Sequence, residues 1–244
     1  MGEERQAWQG AGQVADDAEQ ACELVGAARL VLVDFDGPLV RLLPGDRWLE
    51  VAAEVRSRAG ELGGAELEEQ LGGEQDHVQC LRRVGELAPE VAPPLTDLVT
   101  GLELEAAAQV GPGRHAVHFL EQSLARGAAV VVVTNNDPRV VTLVLDPARP
   151  GLTARLTGIL GRVPGRLDAL KPSPAMLIQA LELAGVSAPD AVLLGDSGSD
   201  VEAGRAAGID VVGVAEDTGR RADLLAAGAR AAVPDVGHLL RPSP

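Results

Sequence analysis

Leu30-Val31-Leu32-Val33-Asp34-Phe35-Asp36-Gly37 is the stretch that decides the fold. Its four successive apolar residues end abruptly at an acid. A run this short and this continuous predicts a strand buried on both faces, as in a parallel sheet covered by helices. The pattern returns at Ala129–Val133 before Thr134, at residues 191–194 before Gly195-Asp196, and more weakly at Asp210–Val214. Helical stretches lie between these runs. One is expected from Ser173-Pro174-Ala175 to Ala184, with Ser173 as N-cap, proline at the first helical position and Gly185 just past the end. Another is expected from Ser199-Asp200-Val201-Glu202, which fits a capping box, to Gly208. Strands alternating with helices of this length predict a doubly wound α/β sheet with right-handed crossovers. Ligands of such sheets gather beyond the carboxyl ends of the strands. Asp34, Thr134 and Asp196 each occupy that place on a different strand.

Outward from this frame, residues 1–12 read as a frayed tail and 15–28 as a helix. From Arg41 to about Gly111 the alternation stops and no strand-like run is found. Four helices are expected there, over 46–59, 65–71, 75–87 and 95–110. Pro44-Gly45 punctuates the start, and Gly111-Pro112-Gly113 the end. The expected organisation is therefore an α/β core over residues 1–40 and 112–244, interrupted after its first strand by a helical cap subdomain over 41–111.

Composition limits the chemistry. A chain of 244 residues that is 46% hydrophobic can bury a sizeable core, which Ala, Val and Leu must fill because aromatics are only 2%. The net charge of −15 argues against nucleic acid or an anionic membrane as partner, since both carry the same sign. A small phosphorylated substrate remains compatible, because a local cation reverses the field where it matters. Cys22 and Cys80 are too few and too far apart for a disulfide scaffold or a zinc site. The acidic N-terminus has no signal-peptide character and no stretch has the length of a membrane span. A soluble, cytoplasmic monomer or homodimer is expected.

Four segments carry candidate chemistry. Asp34-Phe35-Asp36-Gly37 offers two acids at a strand end, one to attack phosphorus and one to handle protons; alone it is also what a polar loop looks like. Thr134-Asn135-Asn136-Asp137 offers a hydroxyl and turn amides to phosphate oxygens, and reads equally as an Asx-rich turn. Lys171 is the one lysine beside 20 arginines, which suggests a place that needs a compact ammonium rather than a guanidinium fork. Gly195-Asp196-Ser197-Gly198-Ser199-Asp200 adds acids that, near Asp34, make an all-oxygen site suited to magnesium. Asp200 is also explained by the helix macrodipole alone. His115 and His118 read as ordinary histidines near the second hinge, and His77 and His238 as surface residues.

With its four segments in this order, the sequence resembles the haloacid dehalogenase superfamily, in the phosphatase branch with a helical cap that includes phosphoglycolate phosphatases and β-phosphoglucomutases. The resemblance covers roughly residues 29–40 and 113–235, and implies a Rossmann-like core. It implies that Asp34 is phosphorylated and that Asp36 protonates the leaving oxygen and then activates water. It implies Mg2+ held by Asp34, the backbone carbonyl of Asp36, and Asp196, with Asp200 orienting metal waters or Lys171. Thr134, Asn135 and Lys171 would bind the phosphoryl oxygens. Pro38 stands where many members have threonine. The second acid, Asp36, argues against a true dehalogenase.

The expected activity is hydrolysis of a small phosphorylated metabolite. A phosphomutase of the β-phosphoglucomutase kind, and a catalytically silent binding protein of the same fold, are the alternatives. A signalling receiver domain is excluded by segment order and by its smaller size.

Overall fold

The computed structural model describes residues 17–240, so the tail expected over 1–12 and the start of the helix expected from residue 15 lie outside the described residues. Six strands, β1 (Leu30–Val33), β2 (Ala129–Val133), β3 (Gly158–Leu160), β4 (Ala191–Gly195), β5 (Asp210–Val214) and β6 (Ala231–Val233), form one sheet. All pairings are parallel, in the order β3-β2-β1-β4-β5-β6. The four expected strands are present, so the doubly wound α/β reading holds. The two additional strands, β3 and β6, are three-residue edges whose Gly158-Ile159-Leu160 and Ala231-Ala232-Val233 are too short to carry a pattern.

The two-residue period of the strands sorts their side chains into two cores. Val31, Val33, Val130, Val132, Val192, Leu194, Val212 and Val214 face one side. They meet the helix over 17–27 (α1) and the later helices α6 (Ala116–Ala125) and α7 (Arg139–Ala148). Leu30, Leu32, Val131, Val133, Leu193 and Val211 face the other, against α8 (Ala175–Ala184), α9 (Gly198–Ala207) and Leu224 of α10 (Thr218–Ala227). Each strand is therefore apolar on both faces because both faces are covered, at about 1.5–3 kcal/mol for each large side chain buried.

Between β1 and β2 the chain makes α2 (Arg47–Gly63), α3 (Ala65–Leu71), α4 (His77–Leu87) and α5 (Ala92–Ala107). Their core consists of Val51, Val55, Leu71, Leu81, Val84, Leu95 and Val99, joined by Leu167 and Leu170 from the segment after β3. The last helix belongs to two cores: Leu95 and Val99 pack with the inserted helices, while Ala107 packs with the sheet. Helix boundaries follow local chemistry. The Asp76 carboxylate accepts from Val78 N and Gln79 N at the start of α4. Helix α9 has a capping box, but Ser197 and Asp200 make it, two residues before the pair expected from the sequence. Gly185 and Gly208 end α8 and α9 in the left-handed conformation, where a side chain would be strained. Among the described residues no helix is long and apolar enough to cross a membrane.

Candidate active site

The sheet order places β1 between β2 and β4, so the residues that leave these three strands come out side by side. The ladder aligns Val33 with Val132 and with Leu194, and Asp34 N donates to Leu194 O at 2.8 Å. Asp34, Thr134 and Asp196 then follow from three neighbouring strand ends. An open cleft of about 1550 Å³, larger than a small ligand fills, opens there between the sheet and the inserted helices; Asp34, Asp36, Lys171 and Asp196 line it.

Lys171 is 1% exposed and its ammonium is saturated. It donates to Asp34 Oδ1 at 2.9 Å, to Asp200 Oδ1 at 2.6 Å and to Val133 O at 3.2 Å, three acceptors for three protons. A guanidinium fork could not converge on acceptors so placed, which is the physical reason for a lysine here. Burial works against the charged ammonium, but the Asp200 and Asp34 carboxylates raise its pKa beyond the usual lysine range. Asp34 Oδ1 also accepts from Phe35 N at 2.7 Å. Burial pushes the Asp34 carboxyl well above the ordinary carboxylate range; Lys171 opposes this, and Asp200 and Asp196 add to it. Asp200 has both oxygens engaged, since Oδ2 accepts from Ser197 N at 3.1 Å and Ser197 Oγ at 2.6 Å.

Asp196 is the more open acid. Its Oδ2 accepts from Arg220 at 3.1 Å, and its backbone carbonyl accepts from the same guanidinium at 3.2 Å. Burial, reinforced by Asp200, pushes its carboxyl up to about 7 despite Arg220. Gly37, at φ 111°, makes this approach possible: a Cβ there would overlap the Asp196 carboxyl. Carboxylate oxygens of Asp34, Asp196 and Asp200 lie within 4.8 Å of one another. An all-oxygen cluster with two carboxyls held above their normal range is short of positive charge, so the residues fit a hard divalent cation. Asp200, already committed to Lys171 and Ser197, suits support of that site better than direct ligation.

Asp36 faces the cleft from a tight turn and its Oδ1 accepts from Leu42 N at 2.9 Å. Burial raises its carboxyl as well. The turn closes through Gly37 N to Val40 O and through Leu39 N and Val40 N to Phe35 O, so it needs no amide at Pro38. The proline is therefore compatible with the conformation of the loop.

The side chains of the two residues that follow β2 are engaged with their neighbours. Thr134 is fully buried, and its hydroxyl proton goes to Asn136 Oδ1 at 3.0 Å rather than to open space. The Asn135 side chain clamps the Lys171 backbone, accepting from its N at 2.8 Å and donating to its O at 3.0 Å. Both hold the site's framework in this state. His77, expected at the surface, is 7% exposed: α4 starts at the cleft edge and lays its first side chain beside Glu103. Glu103, Arg162 and Arg220 escaped the sequence reading. Arg220 gives no sequence signal, being one of 20 arginines.

The raised carboxyls have a consequence for stability. A carboxyl whose pKa is higher folded than unfolded binds more protons in the native state, so its contribution falls as pH rises through the folded value. Without added cation, the thermal midpoint is expected to fall as pH rises from about 5 through 7, the window set by Asp196. Glu103, held down to about 2, acts only below this window. Magnesium added at about pH 7.5 is expected to restore the midpoint. Thermal scans in EDTA and in magnesium would test this; a midpoint that rises with pH in EDTA would contradict it.

Comparison with known proteins agrees with this arrangement. A family model described as HAD-hydrolase-like matches residues 169–239, which hold Lys171, Asp196 and Asp200. A phosphoglycolate phosphatase from Pseudomonas putida is 31% identical over 199 residues, 76% of this chain and 69% of that protein. Phosphoglycolate phosphatase 1 from Pseudomonas aeruginosa is 31% identical over 193 residues, 74% of this chain and 67% of that protein. The solved structure of a haloacid dehalogenase-like hydrolase from Streptococcus pneumoniae aligns with a TM-score of 0.56 at 17% identity, covering 86% of this chain and 95% of that one. On the strength of its relatives and its sheet, the chain belongs to the haloacid dehalogenase-like hydrolases, among their phosphoric monoester hydrolases.

Proposed function

We propose that the protein is a magnesium-dependent phosphatase of a small phosphorylated metabolite, working through a phosphoryl group carried on Asp34. The observation that carries the reading is the convergence of Asp34, Asp36, Lys171 and Asp196 on one cleft. Among the described residues, the contacts of Asp34 fall on Oδ1, which leaves Oδ2 to meet phosphorus. As the Asp34–phosphorus bond forms, the bond from phosphorus to the ester oxygen breaks. Asp36 gives that oxygen its proton, and burial keeps a proton on its carboxyl at higher pH than usual. In the second half, the Asp36 carboxylate takes a proton from water, whose oxygen attacks phosphorus and displaces Asp34. Lys171 holds Asp34 in place and meets the phosphoryl oxygens with fixed positive charge. Mg2+ held by Asp34, Asp196 and the Asp36 carbonyl would supply further charge against those oxygens.

The inserted helices act as a cap that closes on the cleft and excludes water. The relatives named for phosphoglycolate make 2-phosphoglycolate the first substrate to try. Release of phosphate should be measured from p-nitrophenyl phosphate, 2-phosphoglycolate and a panel of sugar phosphates, with magnesium and with EDTA. Release that needs magnesium is expected. Phosphoryl transfer between sugar positions would favour a mutase. Folded, magnesium-loaded protein inert on every compound would sink the reading.

A further inference from the structure

Beneath the cleft, a cluster of polar side chains gathers around one buried carboxylate. Glu103 of α5 is 1% exposed and Arg162, after β3, is 3% exposed. They form a two-pronged ion pair, with Arg162 donating to Oε1 at 2.9 Å and to Oε2 at 2.6 Å. Burial would raise the Glu103 carboxyl, but the Arg162 guanidinium, with His77 3.4 Å away, more than offsets this and holds it down to about 2. A carboxylate so deeply buried is costly unless its partners are fixed. Two of those partners lead elsewhere. Glu103 Oε1 accepts from Asn136 Nδ2 at 2.8 Å, and Oε2 accepts from the backbone of Asp137 at 2.9 Å. Arg162 also donates to the carbonyl of Asn135 at 3.0 Å.

The contacts therefore continue into the proposed phosphate side of the cleft. Asn136, oriented by Glu103, accepts the Thr134 hydroxyl proton; Asn135, tethered by Arg162, clamps both backbone polar groups of Lys171. Lys171 in turn reaches Asp34. We infer that Glu103 is a positioning residue through which the inserted helices set the turn that holds Thr134, Asn135 and Lys171 for phosphoryl binding. The inference rests on the proposed phosphatase reading. It assigns a second purpose to the inserted segment: besides covering the cleft, it supplies the anion that fixes the geometry beneath the phosphate.

A merely structural Glu103 would lose stability and little else when changed. Two variants separate the possibilities: Glu103→Gln, and the pair Glu103→Leu with Arg162→Met, which removes both buried charges together. Thermal midpoint, inhibition by inorganic phosphate, kcat, and Mg2+ binding by calorimetry are measured for each. In both variants phosphate affinity and kcat are expected to fall about tenfold or more, as for a misplaced catalytic group. Mg2+ affinity should stay within about twofold, since Asp196 is not touched, and the pair should hold more of the wild-type midpoint than Glu103→Gln. Should Glu103→Gln fail to fold, the pair alone carries the comparison. Wild-type phosphate affinity and kcat in the folded pair would overturn the inference while leaving the phosphatase reading intact. A wild-type protein that neither binds nor releases phosphate would overturn both.

Discussion

Asp34→Asn is expected to lower phosphate release by at least about 10⁴-fold, the scale seen when a nucleophile is removed. Asparagine has nearly the same volume, and its amide oxygen can still accept from Phe35 N and from Lys171. The loss therefore falls on chemistry rather than on folding. The uncharged amide is a poor nucleophile, and it presents one oxygen where the reaction needs two. The variant should keep the wild-type thermal midpoint in EDTA or exceed it, because one of three crowded acids is neutralised. Initial rates on the best compound of the phosphate panel, with thermal scans beside them, would check both halves. A variant retaining a tenth of wild-type activity would remove Asp34 from the mechanism.

Lys171→Met should be the most damaging single change to stability at the site, costing about 3–5 kcal/mol at neutral pH, as when one partner of a buried ion pair is deleted. Methionine fills the volume but leaves Asp34 and the fully buried Asp200 facing each other without their shared cation. Phosphate release should disappear with it. The penalty should be smaller at about pH 5 than at neutral pH, because burial already favours the protonated Asp34 carboxyl and each fall in pH favours it further, easing the repulsion. Lys171→Arg should not rescue, for want of room to place a planar fork on Asp34, Asp200 and the Val133 carbonyl together. Urea unfolding at the two pH values measures the cost; equal midpoints for wild type and Lys171→Met at neutral pH would contradict it.

The residues that chemistry places at strand ends were legible because two independent signals met there. An apolar run that stops at a polar residue able to do chemistry marks both a buried strand and a site: β1 is followed by Asp34, β2 by Thr134, and β4, which ends in Gly195, by Asp196. The lone lysine was legible by contrast with 20 arginines, and it is the residue that binds the acids together. Edge strands were not, because three residues that pair on one side only need no long apolar run. The capping box was placed two residues late because Ser199 and Glu202 fit the same spacing as Ser197 and Asp200; only the strand end at Gly195 decides between them. Glu103 was hidden for a different reason. It continues the buried stripe Leu95, Val99, Glu103, Ala107 of α5, an acid at four-residue spacing from apolar neighbours. That placement signals a buried carboxylate, but its partner Arg162 lies 59 residues on, and nothing local names it. Long-range polar pairing of this kind belongs to the fold, not to the segment.

The most direct test of the central claim is to mix protein, magnesium and the best substrate, quench with acid within the first turnover, and locate the phosphoryl group by mass spectrometry of the peptides. A phosphoryl group on Asp34, absent from Asp34→Asn and lost at the rate of turnover, is the predicted result. A phosphoryl group on another residue, or hydrolysis with inversion at a chiral phosphorus, would contradict the account.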